Sequence, residues 1–232
     1  MATYHLSVKS GSKGAASNHA RYIAREGTYR RKEEDLVAHW SGNLPPWCAG
    51  NPKVFWQEAD RSERKNAAVY REYEASLPFE LTTGQQIELV KEVIQQVCAN
   101  KPYEVAIHSP QASLGDVAQP HFHLMYSDRI DDGIARGPAQ HFRRFNSVNP
   151  GLGGCKKDSG GRSPLKLREE LRKLRGAFAD LTNEALARNG HLAVVDHRSN
   201  KDRGIEREPG RHLGSYKVSQ LKNGGVLAPT GN

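Results

Sequence analysis

The run Pro120-His121-Phe122-His123-Leu124-Met125-Tyr126 constrains the fold of this chain more than any other stretch. Extended backbone sends successive side chains to opposite faces, so His121 and His123 share one side while Phe122, Leu124 and Tyr126 share the other. That pattern describes a strand with one buried face and one polar face. Tyr103-Glu104-Val105-Ala106-Ile107-His108 alternates in the same way, with Tyr103, Val105 and Ile107 as the buried set and His108 facing away. If the two strands pair, three imidazoles converge. A lone His-x-His on a strand is usually solvated surface; the third histidine is what points to a metal. Three such ligands suit zinc, manganese, iron, nickel or copper and leave coordination positions open, as catalytic sites require.

A chain of 232 residues is long enough for one packed domain with appendages. The net charge is +8, and the segment from Arg136 to Gly190 holds twelve Lys or Arg against five Asp or Glu, so nearly all of the excess sits there. A basic face of this kind fits a polyanion, with nucleic acid first and an acidic membrane surface second, against the plainer alternative of solvated helix surface. Cys48, Cys98 and Cys155 form no Cys-x-x-Cys pair and read as reduced thiols of a cytoplasmic protein. The N-terminus lacks the charged and apolar regions of a signal peptide, and no long apolar run follows, so membrane insertion is not expected.

Tyr4, Leu6 and Val8 predict a first strand, ended by the glycines at Gly11 and Gly14. A short helix with the stripe Ala16, Ala20 and Ile23 follows, with Gly27 as its stop. Residues 30–66, rich in charge, Trp and Pro, read as irregular structure with short helices. Tyr70 to Leu77 is extended; Thr82 or Thr83 then caps a helix whose stripe is Ile87, Val90, Ile94 and Val97. Ser109 to Gln119 joins the histidine strands as a long loop. Residues 131–164, with Gly151-Leu152-Gly153-Gly154, predict a mobile segment without a core, of the kind that closes on ligands. A helix from Leu165 to about Arg188 carries Leu167, Leu171, Leu174, Phe178, Leu181 and Ala185 on one side and Lys166, Arg172, Lys173 and Arg175 on the other. Leu192, Val194 and Val195 suggest a last strand.

In the first helix Tyr22 lies off the apolar stripe and shares its side with Asn18, His19 and Arg25. Most such tyrosines only edge a core. A phenol attacks phosphorus at neutral pH when cations, a metal or a base stabilise the phenolate, and His19, Arg25 and a metal held by histidines would supply that.

With these residues in view, the chain closely resembles the MobA/MobL plasmid mobilisation relaxases of the HUH endonuclease superfamily. The match runs in order through Tyr4-His5-Leu6, Ala20-Arg21-Tyr22-Ile23-Ala24-Arg25-Glu26-Gly27, Glu72-Tyr73-Glu74-Ala75-Ser76-Leu77-Pro78 and Ala106-Ile107-His108. It continues through Pro120-His121-Phe122-His123-Leu124-Met125, Ser127-Asp128-Arg129, Asp196-His197-Arg198-Ser199, Gly204-Ile205-Glu206 and His212-Leu213-Gly214. The resemblance implies a relaxase domain over residues 1–215 with a flexible tail at 216–232. It implies an α/β two-layer sandwich: a mainly antiparallel sheet of about five strands, helices on one face and the metal–tyrosine site on the other. Tyr22 is then the nucleophile, and His108, His121 and His123 hold a divalent ion, Mg2+ or Mn2+. Glu72 and Glu74, on one face of their strand, orient a histidine or take the tyrosine proton, unless they are simply exposed carboxylates.

The implied activity is strand-specific nicking and rejoining of DNA at a plasmid origin of transfer through a 5′-phosphotyrosine. Single-stranded DNA beside an origin hairpin is the substrate, and accessory mobilisation proteins and a type IV secretion coupling protein are the partners. The setting is the bacterial cytoplasm, with passage to the recipient attached to DNA. Tyr22 precedes the histidine pair, which favours a relaxase over an HUH replication initiator. The competing classes are a noncatalytic single-strand-binding module and a metal-dependent hydrolase using water. Arg25 beside Tyr22, with Arg129, Arg143 and Arg144, are candidate DNA contacts, and Phe142 or Phe145 could stack on bases.

Overall fold

The computed structural model describes residues 4–112, 117–192, 194–207 and 219–221. The expected tail at 216–232 and the His212-Leu213-Gly214 motif lie almost wholly outside them. Five strands form one antiparallel sheet: β1 (Leu6–Gly11), β2 (Leu36–Gly42), β3 (Tyr70–Ser76), β4 (Tyr103–His108) and β5 (His121–Tyr126). Their order is β1-β3-β5-β4-β2, which puts the two histidine strands side by side at the centre. The register pairs His108 with His121 and Ala106 with His123, so all three imidazoles emerge on one face.

Alternation then builds two cores from the same strands. Tyr73, Ala75, Val105, Ile107, Phe122 and Leu124 point to one face, where α3 (Thr83–Cys98) and α5 (Pro164–Arg188) cover them. Helix α3 starts at a capping box in which the Thr82 hydroxyl accepts from the Gln85 backbone N–H and the Gln85 side chain accepts from the Thr82 N–H. Its buried side carries Leu89, Val90, Val93, Ile94 and Val97, as the spacing predicts.

The opposite face is where expectation and structure part. Helices lie on both faces: α1 (Ala16–Ile23) and α2 (Pro52–Ser62) pack Ala16, Ala20, Ile23, Phe55 and Trp56 onto Tyr70, Ala106 and Met125. Those small and aromatic positions of the strands are too apolar to face water, so the site occupies only one end of this face. Residues 30–66 contain an edge strand and an eleven-residue helix in place of irregular structure. The periodicity of β2 is faint because an edge strand with a register shift between Leu36 and Ala38 needs little apolar surface.

Residues 131–164 are not a coreless segment either. They include the short helix α4 (Pro138–His141) and bury His141, Phe142 and Cys155. Two arginines hold them. The Arg129 guanidinium, 2% exposed, donates to both Glu63 carboxylate oxygens and to the carbonyls of Phe142, Arg143 and Cys155. Arg136 binds Asp132 and the carbonyls of Pro150 and Gly153. Leu192, Val194 and Val195 form no strand: Leu192 and Val194 are exposed, and Val195 tucks into the core with its N–H and carbonyl both bonded to the Asn183 side chain. No helix among the described residues is long and apolar enough to cross a membrane.

Candidate active site

Helix α1 is short, and its position is set from outside. The Asp60 carboxylate, reaching from α2, accepts from the backbone N–H groups of Gly14, Ala16 and Ser17 and from the Ser17 hydroxyl. That replaces the missing N-cap side chain of α1 and fixes the helix that bears Tyr22 against the sheet. At the other end Arg25 takes φ +54°, a conformation costing an L-residue about 1–2 kcal/mol. The turn carries its guanidinium inward, where Nε and Nη2 pair with Asp35, Nη1 donates to the Tyr22 carbonyl, and Nη2 donates to His108 Nδ1 at 3.1 Å. The same guanidinium lies 4.8 Å from the centre of the Tyr22 ring.

The Tyr22 ring meets three others. It stacks on His19 at 5.8 Å, stands edge-on to Tyr29 at 5.4 Å, and stands edge-on to His123 at 5.7 Å. His19 is sandwiched in turn by Tyr70 at 5.0 Å and 6°. That ring has room only because Gly11 lies across from it on β1, where a Cβ would overlap its edge.

Beneath these rings the nitrogens of His108, His121 and His123 come within 4.8 Å of one another. Their outer bonds fit a metal for two of the three. His123 Nδ1 donates to Glu72 at 2.8 Å, and its Nε2 is buried with no hydrogen-bond partner. His121 Nδ1 donates to the Gln119 carbonyl at 2.9 Å, which leaves its Nε2 lone pair available. A ring whose far nitrogen is held by a carboxylate or carbonyl is the usual form of a metal-ligating histidine. His108 is fully buried and uses both nitrogens, accepting from Arg25 and donating to the Ile23 carbonyl at 2.7 Å, so a metal would replace one of those bonds. Burial above all, aided by Arg25, brings the His108 imidazolium down to about 3, and burial lowers His121 as well; both rings are neutral at pH 7 and able to ligate.

Glu72, 2% exposed, accepts from His123 Nδ1 and from His19 Nε2 at 2.7 Å through one oxygen. Burial would raise its pKa, but those two hydrogen bonds prevail and hold it at about 2. Glu74 sits beside Glu72 on the same face of β3, close enough to form a second candidate metal group with Glu72 and His123, and is paired with Lys9.

Tyr22, Glu72, Glu74 and the three histidines are thus one cluster. The expected DNA contacts divide. Arg25, Arg129 and Phe142 are interior groups: the first braces His108, the second organises residues 142–155, and Phe142 packs with Phe55 and Trp47. A side chain already buried in such bonds has none to offer a phosphate or base. Arg143 and Arg144 are exposed and Phe145 is half-exposed. Tyr29, Asp35 and Asp60 were not singled out from the sequence. Each acts across turns or between helices, where no local spacing marks it.

This fold and cluster define an antiparallel-sheet α/β protein with a histidine–tyrosine centre. The chain belongs to the MobA/MobL family, whose model matches residues 11–223. It is 47% identical over 210 residues to a 43 kDa relaxation protein of Salmonella typhimurium, covering 90% of this chain and 57% of that protein. It is 41% identical over 229 residues to Mobilization protein A of Escherichia coli, covering 97% of this chain and 31% of that one. The chain therefore spans 57% of the length of the first of these relatives and 31% of the second. A chain solved in work on the molecular basis of vancomycin resistance transfer in Staphylococcus aureus shares the fold, with a TM-score of 0.62 at 20% identity; 85% of this chain covers 100% of that one.

Proposed function

We propose that the chain is a conjugative relaxase domain that nicks and rejoins one DNA strand at a plasmid origin of transfer. The observation that carries this reading is the Tyr22 ring set edge-on to His123, within a cluster whose buried His123 Nε2 lacks a partner. Family membership, and relatives named for relaxation and mobilisation, support it.

The Tyr22 hydroxyl attacks the scissile phosphorus; an O–P bond to tyrosine forms, the bond to the 3′-oxygen breaks, and the departing 3′-hydroxyl gains the proton that the phenol loses. The reverse reaction rejoins the strand. His108, His121 and His123 would hold a divalent ion, Mg2+ or Mn2+, which when bound neutralises charge on the nonbridging oxygens. Glu72, ionised and shared between His19 and His123, orients both rings. Arg25 and His19 hold the Tyr22 ring from two sides. Arg143, Arg144 and Phe145 contact single-stranded DNA next to the origin hairpin, so affinity falls steeply with salt. The setting is the bacterial cytoplasm, accessory mobilisation proteins and a type IV secretion coupling protein are the partners, and the domain travels to the recipient on its strand.

Labelled single-stranded DNA from the origin of its own replicon, mixed with the protein and Mn2+, tests this on a denaturing gel. Protein-bound label that disappears with Tyr22→Phe or with chelator supports the relaxase. Cleavage without an adduct would instead make it a hydrolase, and binding alone a noncatalytic module.

A further inference from the structure

The charge excess of residues 136–190 is not used up by Arg143 and Arg144. Four more of its cations, Lys156, Lys157, Arg162 and Lys166, line an open cleft of about 540 Å3 at the start of α5. A second cleft, of about 480 Å3 and lined by Arg64, Lys65 and Arg71, shares Lys157 and Gly160 with the first, so the two form one groove. Along it seven cations face two carboxylates, Asp128 and Asp158. Arg71 directly precedes Glu72 on β3, so its side chain leaves the sheet on the side away from the histidine cluster.

The cations are of two kinds. Arg71, Lys157 and Arg162 are half-buried and held in place: Arg71 Nη2 donates to the Ser159 hydroxyl at 3.4 Å, Lys157 Nζ donates to the Ala68 carbonyl at 2.6 Å, and Arg162 pairs with Asp158 and Glu170. Asp158 also pairs with Lys101, and Asp128 accepts from the Ser159 hydroxyl, so both carboxylates are already engaged. Arg64, Lys65, Lys156 and Lys166 are exposed, and their side chains make no hydrogen bond or ion pair with any described residue. Unpaired cations side by side repel one another, and a polyanion laid along them turns that repulsion into attraction. What the groove lacks identifies the polyanion. Among the described residues that line it there is no aromatic ring, and Ile130, Ala67 and Ala68 are the only apolar side chains. A single strand is gripped by rings that stack on its bases. A protein partner is met by an aromatic and apolar core, and a membrane by side chains that enter it. A double helix keeps its bases stacked inside and offers phosphates to cationic, hydroxyl and amide groups. Those are the groups present, with Asn66, Ser159 and Ser163 set among the cations.

We propose that this groove holds the phosphate backbone of double-stranded DNA without regard to sequence, as a second DNA site apart from the one that serves the cut strand. The proposal rests on the relaxase reading only for the source of that duplex, the plasmid DNA beside the nick. It gives the excess charge of this segment a purpose that Arg143, Arg144 and Phe145 do not cover.

The test needs neither metal nor origin sequence. A fluorescent duplex of unrelated sequence, about two helical turns long, is titrated in chelator by anisotropy, beside a single strand of the same length. The wild type should bind the duplex at about 1–100 μM near physiological salt, with log affinity falling linearly against log salt. Lys156→Gln with Lys166→Gln, and Arg64→Gln with Lys65→Gln, should each lower that slope by about 2 and the affinity at least about tenfold at about 0.1 M salt. The loss on the single strand should be several-fold smaller. Arg172→Gln with Lys173→Gln, a pair exposed on α5 outside the groove, removes the same charge and should cost less than about threefold. Equal losses on duplex and single strand, an equal loss from the Arg172 and Lys173 pair, or a wild type that binds no duplex would overturn the proposal. So would groove variants that keep duplex affinity and lose only binding to anionic phosphatidylglycerol vesicles. Failure of the wild type to form an adduct with the origin strand and Mn2+ would count against the relaxase reading, and the duplex comparison would still decide the groove.

Discussion

The two faces of the sheet are made by alternate residues of the same strands and differ in kind. Toward α3 and α5, Phe122, Leu124, Val105 and Ile107 are all fully buried and apolar. Toward α1, Glu104, His108 and His123 from the same strands and Glu72 from β3 are almost as completely buried but polar, and each has a hydrogen-bond partner, Glu104 accepting from the Trp56 indole N–H. One face is held by area removed from water, which is indifferent to direction. The other has an apolar core of its own under α1 and α2 and, at the end that bears the site, hydrogen bonds, which do depend on direction and which point imidazole lone pairs and the Tyr22 ring at one place. A strand of period two lets the chain keep its larger core and its chemistry on separate sides of one backbone.

That separation can be broken from either side. Phe122→Ala, on the apolar face, should destabilise the protein by about 3–5 kcal/mol in urea unfolding; a change below about 1 kcal/mol would mean that face is not the main core. Glu72→Gln, its polar counterpart on β3, should weaken Mn2+ binding about 10- to 100-fold by calorimetry, because it loosens the Nδ1 bond that orients His123. Unchanged affinity would show that His123 needs no support from Glu72.

The smallest effect sharpens the comparison through pH. His108 and His141 titrate at about 3 and about 4 when folded, against about 6.5 when unfolded. Between those values the unfolded chain binds protons that the folded one refuses, so their contribution is fully present above about pH 6.5 and declines as pH falls toward 3. Glu72, depressed to about 2, acts in the same direction below its unfolded value near 4.3. From pH 7 to 6 each histidine should cost less than about 1 kcal/mol, and His141→Gln should flatten the slope. A stability that rises on acidification would contradict these buried neutral rings.

How much of this could be read in the sequence follows the same divide. The strands bearing His108, His121 and His123 were legible because alternation is a local signal, and the α3 stripe because its spacing is regular. The apolar side of α5 was legible too, although it is buried only from Phe178 onward. What escaped depends on contacts distant in sequence. Arg129 looked like a phosphate ligand until Glu63, 66 residues away, was seen to neutralise it. Arg25 sits on the Tyr22 side of its helix in projection, but a left-handed residue turns it inward to Asp35. The glycines of residues 151–154 suggested looseness, whereas at Gly153 and Gly154 a Cβ would collide with the backbone of residues 143–146, so they mark close packing. The cluster of Tyr22 with the histidines was legible only through the family resemblance; spacing alone left the tyrosine at the edge of a core.

The central claim is that Tyr22 is the atom donor to phosphorus, and mass mapping of the adduct tests it most directly. After reaction with the origin strand and Mn2+, nuclease trimming and trypsin digestion, the nucleotide mass should lie on the peptide spanning Tyr22 to Arg25. Its appearance on the peptide bearing Tyr29, whose ring lies 5.4 Å away, or on no tyrosine, would contradict the account.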